Sequence, residues 1–253
     1  MKKVVGRSSL WMDKPSPYCP GCGHGVVHRI VCELIEEMGL ADNCVFMAPV
    51  GCSILAYTFL SLDVCQPAHG RTPAAATGVK RARPDTFVVS YQGDGDLAAI
   101  GTAEIIHAAN RGENFTTIFV NNAIYGMTGG QMAPTTLIGQ KATTCPDGRD
   151  PSSGMGHPIR VCELLQSLGG VTYLARTTVH NAPGVIKTKK AIKKAFEVQI
   201  AKKGFSLVEV LSPCPVNWGI HPVQALSFVE NNMLPYYPLG EYKVAGECVS
   251  PGA

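Results

Sequence analysis

Three short β-rich runs stand out along the chain: residues 86–91 (TFVVSY), 116–122 (TTIFVNN) and 205–211 (FSLVEVL). Each is rich in Val, Ile, Leu or Phe and of strand length. Between the first two, Leu97, Ile100, Ile105 and Ala108 recur at helical spacing, and Arg111-Gly112 stops the pattern. Strand, helix, strand is the repeating unit of a parallel sheet. Helical periodicity also predicts helices over 26–38, ending at Gly39, over 160–168, ending at Gly169-Gly170, and over 182–202. The pattern predicts an α/β fold: a mostly parallel sheet flanked by helices.

Residues 43–62 lack charge and at first resemble a membrane span, but Pro49 and Gly51 interrupt them and Ser53 and Thr58 add polarity. They are read as a strand (CVFM), a tight turn and a buried helix. Residues 126–158 are dense in Gly, Pro, Ser and Thr without a period. A loop that long in a compact domain is usually functional, and this one leaves a strand end, where α/β folds place ligands. After Leu211 a Pro-rich tail is expected to wrap over the surface or a partner.

At 253 residues the chain suits a single domain spanning 1–253. Within it, an N-terminal segment (about 15–25) is expected to bind a metal cluster and the tail (about 215–253) to wrap over the domain. A net charge of +3 is too small to argue for nucleic acid, and the one basic run, 187–196, reads as a solvated helix face. Charged residues are only 16%, which fits either a large core or a surface covered by other subunits. The basic start lacks an apolar stretch of signal-peptide type, so a cytoplasmic location is expected. There, the ten cysteines are expected to bind metal or stay as buried thiols rather than pair.

Candidate chemistry concentrates at two places. The strand 86–91 runs into QGDGD, where Gly93 and Gly95 allow close backbone approach and the following helix offers its N-terminus to a diphosphate. Asp94 and Asp96 would repel a bare phosphate, and a divalent cation such as Mg²⁺ between carboxylate and phosphate resolves the conflict. The next strand closes in Asn121-Asn122, a source of a further oxygen ligand. The other place is YCPGCGHG, residues 18–25. By itself Cys19-x-x-Cys22 leaves zinc, an iron–sulfur cluster and a disulfide open. No second CxxC follows, which weighs against zinc. Cys52 at a tight turn and Cys214 at a strand end could complete the four thiolates of a [4Fe–4S] cluster. His24 is expected to cap the following helix or sit behind the ligands. Cys32 and Cys162 read as core thiols.

GDG at a strand end, then a helix, then a strand closing in Asn-Asn resembles the thiamine diphosphate signature. With CPGCGHG, GCS, HGR (residues 69–71), NNAIYGMTGGQ and SPCPVNWG, the chain looks like the thiamine diphosphate-binding β subunit of the 2-oxoacid:ferredoxin oxidoreductases, over residues about 15–220. The resemblance implies Mg²⁺ on Asp94, Asn122 and the Ile124 carbonyl, and a [4Fe–4S] cluster on Cys19, Cys22, Cys52 and Cys214. It implies cofactor contacts from Cys52, Ser53, His69, Gly93, Asp94, Gly95, Asp96, Asn122, Ile124, Tyr125 and Thr128. His69 is a candidate polar group near the thiazolium, or equally a structural histidine beside Gly70. The implied reaction is CoA-dependent oxidative decarboxylation of a 2-oxoacid, with electrons leaving through the cluster to ferredoxin.

By the same resemblance an α subunit supplies the glutamate that activates the cofactor, and γ and ferredoxin-like δ subunits complete the enzyme, so this chain alone is expected to be inactive. Members acting on 2-oxoglutarate or pyruvate tend to carry a lysine just after Gly-Cys-Ser, where this chain has Ile54 and Leu55. Pyruvate-type members tend to carry an asparagine where this chain has Met127. These departures favour 2-oxoisovalerate and other branched-chain acids over 2-oxoglutarate, with an indolepyruvate enzyme further off. A non-redox thiamine lyase with a structural metal and a zinc-stabilised assembly module are the readings from other classes.

Overall fold

The computed structural model describes residues 6–250; the basic start of the chain, residues 1–5, lies outside it, as do residues 251–253. The elements run α1 (His24–Glu37), β1 (Cys44–Met47), β2 (Asp63–Cys65), α2 (Thr72–Ala82), β3 (Phe87–Gly93), α3 (Thr102–Asn110), β4 (Thr116–Asn121), α4 (Val161–Gln166), β5 (Val171–Thr178), α5 (Ala182–Ile200) and β6 (Phe205–Leu211). The tail then adds short helices α6 (Pro215–Trp218), α7 (Pro222–Phe228) and α8 (Leu234–Tyr236), and strands β7 (Gly240–Val244) and β8 (Glu247–Cys248). One eight-stranded sheet runs β2-β1-β3-β4-β6-β5-β7-β8. All pairings from β2 to β5 are parallel, and β7 and β8 are antiparallel at the edge.

β4 and β6 are buried along their whole length and β3 almost so, which is why their sequences read as unbroken apolar runs. One face packs α1 and α5 against Phe46, Val89 and Tyr91. The other packs α3 and α4 against Val88, Phe119 and Leu207. Adjacent parallel strands β1, β3, β4 and β6 all deliver their C-terminal loops to the same rim, where open α/β sheets bind ligands.

Three expectations change. Residues 52–58 form a 3-10 helix rather than a buried α-helix; only Ser53 and Ala56 in it are buried. The tail does more than wrap, because β7 hydrogen-bonds to β5 and extends the sheet. Strand β5 and helix α2 also form where the apolar pattern was silent. Among the described residues no helix is long and apolar enough to cross a membrane.

Candidate functional site

Gly93 ends β3, and Asp94 immediately caps a short π-helical stretch, Gly95–Ile100. The Asp94 carboxylate is buried and accepts from the backbone N–H of Gly95 at 2.9 Å, the Thr135 hydroxyl at 2.8 Å and the N–H of Ile124 at 3.2 Å. Burial nevertheless pushes its pKa up to about 7, since these donors only partly replace water around the charge. Asn122 lies between Asp94 Oδ2 and the Ile124 carbonyl. With its amide nitrogen turned inward it donates to them at 3.2 and 2.7 Å; with its oxygen inward, three oxygens meet at one point. That second arrangement is costly without a cation and suits Mg²⁺, so these residues fit the ion.

The neighbouring residues divide the work. Asn121 does not face the site: its amide donates to the buried Glu209 carboxylate at 2.7 Å, and its oxygen accepts from Ala123 N at 3.1 Å. Ala123 sits at φ 56°, a left-handed turn that sends Ile124 back under Asp94. Trp218 Nε1 holds the Asn122 carbonyl at 3.1 Å. Asp96 turns away from the cation site, since both its oxygens accept from protein donors, His69 Nδ1 among them at 2.7 Å. It still lines the cavity, with both oxygens already engaged by protein donors.

Thr135 comes from the long loop, whose order depends on one buried residue. Among the described residues the Arg149 guanidinium meets no carboxylate; it donates to the carbonyls of Pro134, Thr136, Met155, Gly156 and His157 at 2.7–3.1 Å. Tyr237 from the tail adds a 2.7 Å bond to the Thr135 carbonyl. Neither Thr135 nor Arg149 was visible as a site residue in an aperiodic stretch; a lone arginine amid Gly, Pro, Ser and Thr was the available signal.

At the second place, Cys19, Cys22, Cys52 and Cys214 come within electrostatic reach of one another, every pair included. Burial, then neighbouring thiols, push Cys22 and Cys52 up to about 12, and burial raises Cys214. Cys19 is exposed. All ten cysteines are free. Among the described residues no three His, Cys, Asp or Glu side chains are close enough to hold a single metal ion. Zinc would draw its thiolates to roughly 4 Å of each other. A wider set of four thiols that repel one another as anions fits a cubane cluster, whose irons lie between the sulfurs. Asn217 donates to Cys214 Sγ at 3.4 Å, and Tyr18 donates to the Cys52 carbonyl at 3.1 Å while meeting His28 Nε2 at 2.8 Å. His24 is buried with Nδ1 on the Tyr91 hydroxyl at 2.7 Å, and burial lowers its pKa to about 4.

The cation site opens on a cavity of about 280 Å³, lined by Cys52, Ser53, His69, Asp94, Tyr125 and Thr128 among others, so Cys52 is the member of the thiol set that reaches it among the described residues. Gly126 is the divider: a methyl there would stand 3.4 Å from Cys52 Sγ and 3.6 Å from Cys214 Sγ. Val50, Ile100 and Met127 supply apolar wall and remain substantially exposed at its rim. Ile54 and Leu55 are half-buried on the 3-10 helix and do not line the cavity, so its apolar character comes from other residues than the two expected.

Residues 50–210 match the thiamine pyrophosphate enzyme family, C-terminal TPP binding domain. The chain is 46% identical over 226 residues to the ketoisovalerate oxidoreductase subunit VorA of Methanothermobacter thermautotrophicus, covering 89% of this chain and 47% of that one. It thus spans about half the length of that relative. It is 40% identical over 227 residues to the 2-oxoglutarate synthase subunit KorB of Methanocaldococcus jannaschii, covering 87% of this chain and 79% of that one. Among solved structures, the 2-oxoglutarate:ferredoxin oxidoreductase from Magnetococcus marinus, with 2-oxoglutarate, coenzyme A and succinyl-CoA bound, superposes with a TM-score of 0.77 at 29% identity, over 90% of this chain and 74% of that one. The chain therefore belongs to the family of 2-oxoacid oxidoreductase subunits built on the C-terminal domain of thiamine pyrophosphate enzymes.

Proposed function

We propose that this chain is the thiamine diphosphate- and cluster-bearing subunit of a 2-oxoacid:ferredoxin oxidoreductase acting on 2-oxoisovalerate and related branched-chain acids. The observation that carries the reading is one cavity: the cation-ready oxygens of Asp94, Asn122 and Ile124 line it together with Cys52, one of the four clustered thiols, and a methyl on Gly126 in its wall would stand against Cys52 and Cys214. When bound, thiamine diphosphate supplies a nucleophilic carbon and an electron sink, and a [4Fe–4S] cluster accepts electrons singly. Asp94, Asn122 and the Ile124 carbonyl hold Mg²⁺ and through it the diphosphate. Gly93 and Gly95 let backbone approach, and Ser53, Tyr125 and Thr128 line the space beside it. Cys19, Cys22, Cys52 and Cys214 hold the cluster. Coenzyme A takes the acyl group and ferredoxin the electrons.

The exposed apolar rim of Val50, Ile100 and Met127 supports a partner subunit that closes the cavity, excludes water and brings the activating carboxylate. We assign that role to an α subunit, with γ and ferredoxin-like δ subunits completing the assembly in the cytoplasm. Among the described residues the cavity wall contains no lysine or arginine for a distal carboxylate, which favours a branched apolar side chain. The 40% identity to a 2-oxoglutarate synthase subunit supports 2-oxoglutarate as the second reading.

The test is anaerobic purification with co-purifying partners, counting iron, sulfide, zinc and thiamine diphosphate per chain, then assay with each oxoacid, coenzyme A and ferredoxin. About four iron atoms and one thiamine beyond the partners' own support the reading. Zinc without iron at this chain removes the electron-transfer role. A higher kcat/KM for 2-oxoglutarate than for 2-oxoisovalerate replaces the substrate.

A further inference from the structure

The two aspartates of QGDGD have opposite surroundings. Asp96 is 1% exposed, and four donors meet it. His69 Nδ1 and Gly70 N reach Oδ1, each at 2.7 Å, while Gln92 Nε2 and the Thr72 hydroxyl reach Oδ2 at 2.6 and 3.2 Å. Gln92 is itself oriented by the Ser90 hydroxyl, which donates to its oxygen at 2.8 Å. A carboxylate so ringed only accepts, so the His69 proton sits on Nδ1. The other ring nitrogen, Nε2, then carries a lone pair. His69 is about one-third exposed and lines the cavity, and its Nε2 has no hydrogen-bond partner among the described residues. It stands 3.9 Å from where a methyl on Gly95 would be, at the floor of the same cavity.

We propose that Asp96 is the positioning residue of His69: it fixes the ring's tautomer and aim so that bare Nε2 faces the reacting carbon's oxygen. This rests on reading the chain as an oxoacid oxidoreductase subunit. In that reaction the keto oxygen is a carbonyl in the substrate and again in the acyl product. A proton it gains while carbon dioxide leaves must be lost before the carbonyl returns. His69 Nε2 takes it as that carbon gives up two electrons to the proposed cluster: the O–H bond breaks, its electron pair re-forms C=O, an N–H bond forms, and the imidazolium later releases the proton to water. No electrons beyond those of the parent reaction are needed.

The test uses the complex purified with its partners and carrying D96N, H69Q or both. Each single substitution is expected to lower kcat about 10²-fold, with KM for the oxoacid and thiamine content per chain unchanged. The double variant should be no slower than the worse single one, because Asp96 acts only through the ring. Additive losses, or a D96N enzyme at full rate, overturn the proposal. A D96N complex that loses its thiamine makes Asp96 part of the cofactor site, which also overturns it and leaves the family assignment standing. A wild-type complex that holds thiamine and iron but turns over no oxoacid fails the proposed function instead. Should D96N not assemble, ¹⁵N-histidine spectra of the wild-type complex decide, with the His69 signals identified by their loss in H69Q. Protonated Nδ1 with bare Nε2 is expected, and the reverse tautomer overturns the assignment.

Discussion

The cation end and the thiol end of the cavity are built on opposite principles. Around Asp94 the chain supplies its own cohesion: a hydroxyl and two backbone N–H groups already hold the carboxylate, and Asn122 bridges it to Ile124. That end has its shape before any ligand arrives. The thiol end gathers four residues from three separate loops, and its members repel one another once ionised. One backbone bond, Cys22 N to Cys19 O at 3.0 Å, closes the CxxC turn, and Asn217 supports Cys214. On the proposed function, what holds four thiolates there comes from the cluster they bind. In that reading the cation end is preorganised and the thiol end is organised by its occupant.

The largest expected effects separate the two ends. Asp94→Ala removes the centre of the cation end, and thiamine diphosphate binding and activity should both be lost. Iron and sulfide per chain should remain near wild type, because no thiol hydrogen-bonds to Asp94 among the described residues. Loss of iron as well would mean that the two ends are one site. Cys52→Ser is the converse. It should strip most iron and lower ferredoxin reduction by a factor of about 10² or more, while Mg²⁺-dependent thiamine binding, followed by calorimetry, stays within a few-fold. A large loss of thiamine affinity there would show that the occupant of the thiol end shapes the cation end too.

The same contrast decides what could be read from sequence. β3, β4 and β6 are legible because burial on both faces leaves only apolar residues to choose from. β5 is equally buried but hides a charge: Arg176 is fully buried, paired with Glu209 at 2.8 Å and Glu163 at 2.6 Å, so VTYLARTT reads as polar. α2 is built largely of Thr, Ala and Gly, whose small side chains leave no apolar stripe. Residues proposed to meet the cofactor through strand ends, such as Asp94 and Asn122, sit at fixed spacings in the pattern. Thr135 reaches Asp94 across an aperiodic loop set by side-chain-to-carbonyl bonds, and such contacts leave no period. Asp96 shows the limit from the other side, since its spacing is right for a ligand but says nothing of the protein donors that already occupy both its oxygens.

Arg149 sharpens the comparison from a distance. Its guanidinium orders the loop that delivers Thr135, with no contact to Asp94 itself. Arg149→Met should let Thr135 drift and weaken Mg²⁺–thiamine diphosphate binding about tenfold, the order expected for one hydrogen bond to a charged group. Saturating cofactor should restore much of the activity, and iron content should not move. A loss that cofactor cannot restore would place the loop's role in folding rather than in preorganisation.

The smallest effect is in stability, and the two ends should show it with opposite sign. Asp94 is raised by burial from 3.8 to about 7, so between those values the folded, metal-free protein binds a proton that the unfolded chain does not. Stability from this group therefore falls as pH rises through that window. Behind the thiols, His28 is fully buried, with Nε2 on Tyr18, Nδ1 unpartnered and its ring 4.1 Å from that of Tyr91. Burial first, and then His24, hold its pKa well below 6.5. Below 6.5 the unfolded chain takes a proton that folded His28 refuses, so stability is lost as pH falls. The slope approaches about 1.4 kcal/mol per pH unit for each refused proton. His24, lowered to about 4, adds the same sign over its own range. His28→Phe should keep the ring packing and remove one of these two protons. Denaturant midpoints from pH 6.5 down to 5 should then fall less steeply in the variant than in wild type, while the rising-pH loss from Asp94 is untouched. Identical slopes would mean that His28 takes up its proton in the folded state, and that the ring stack behind the thiols is open to water.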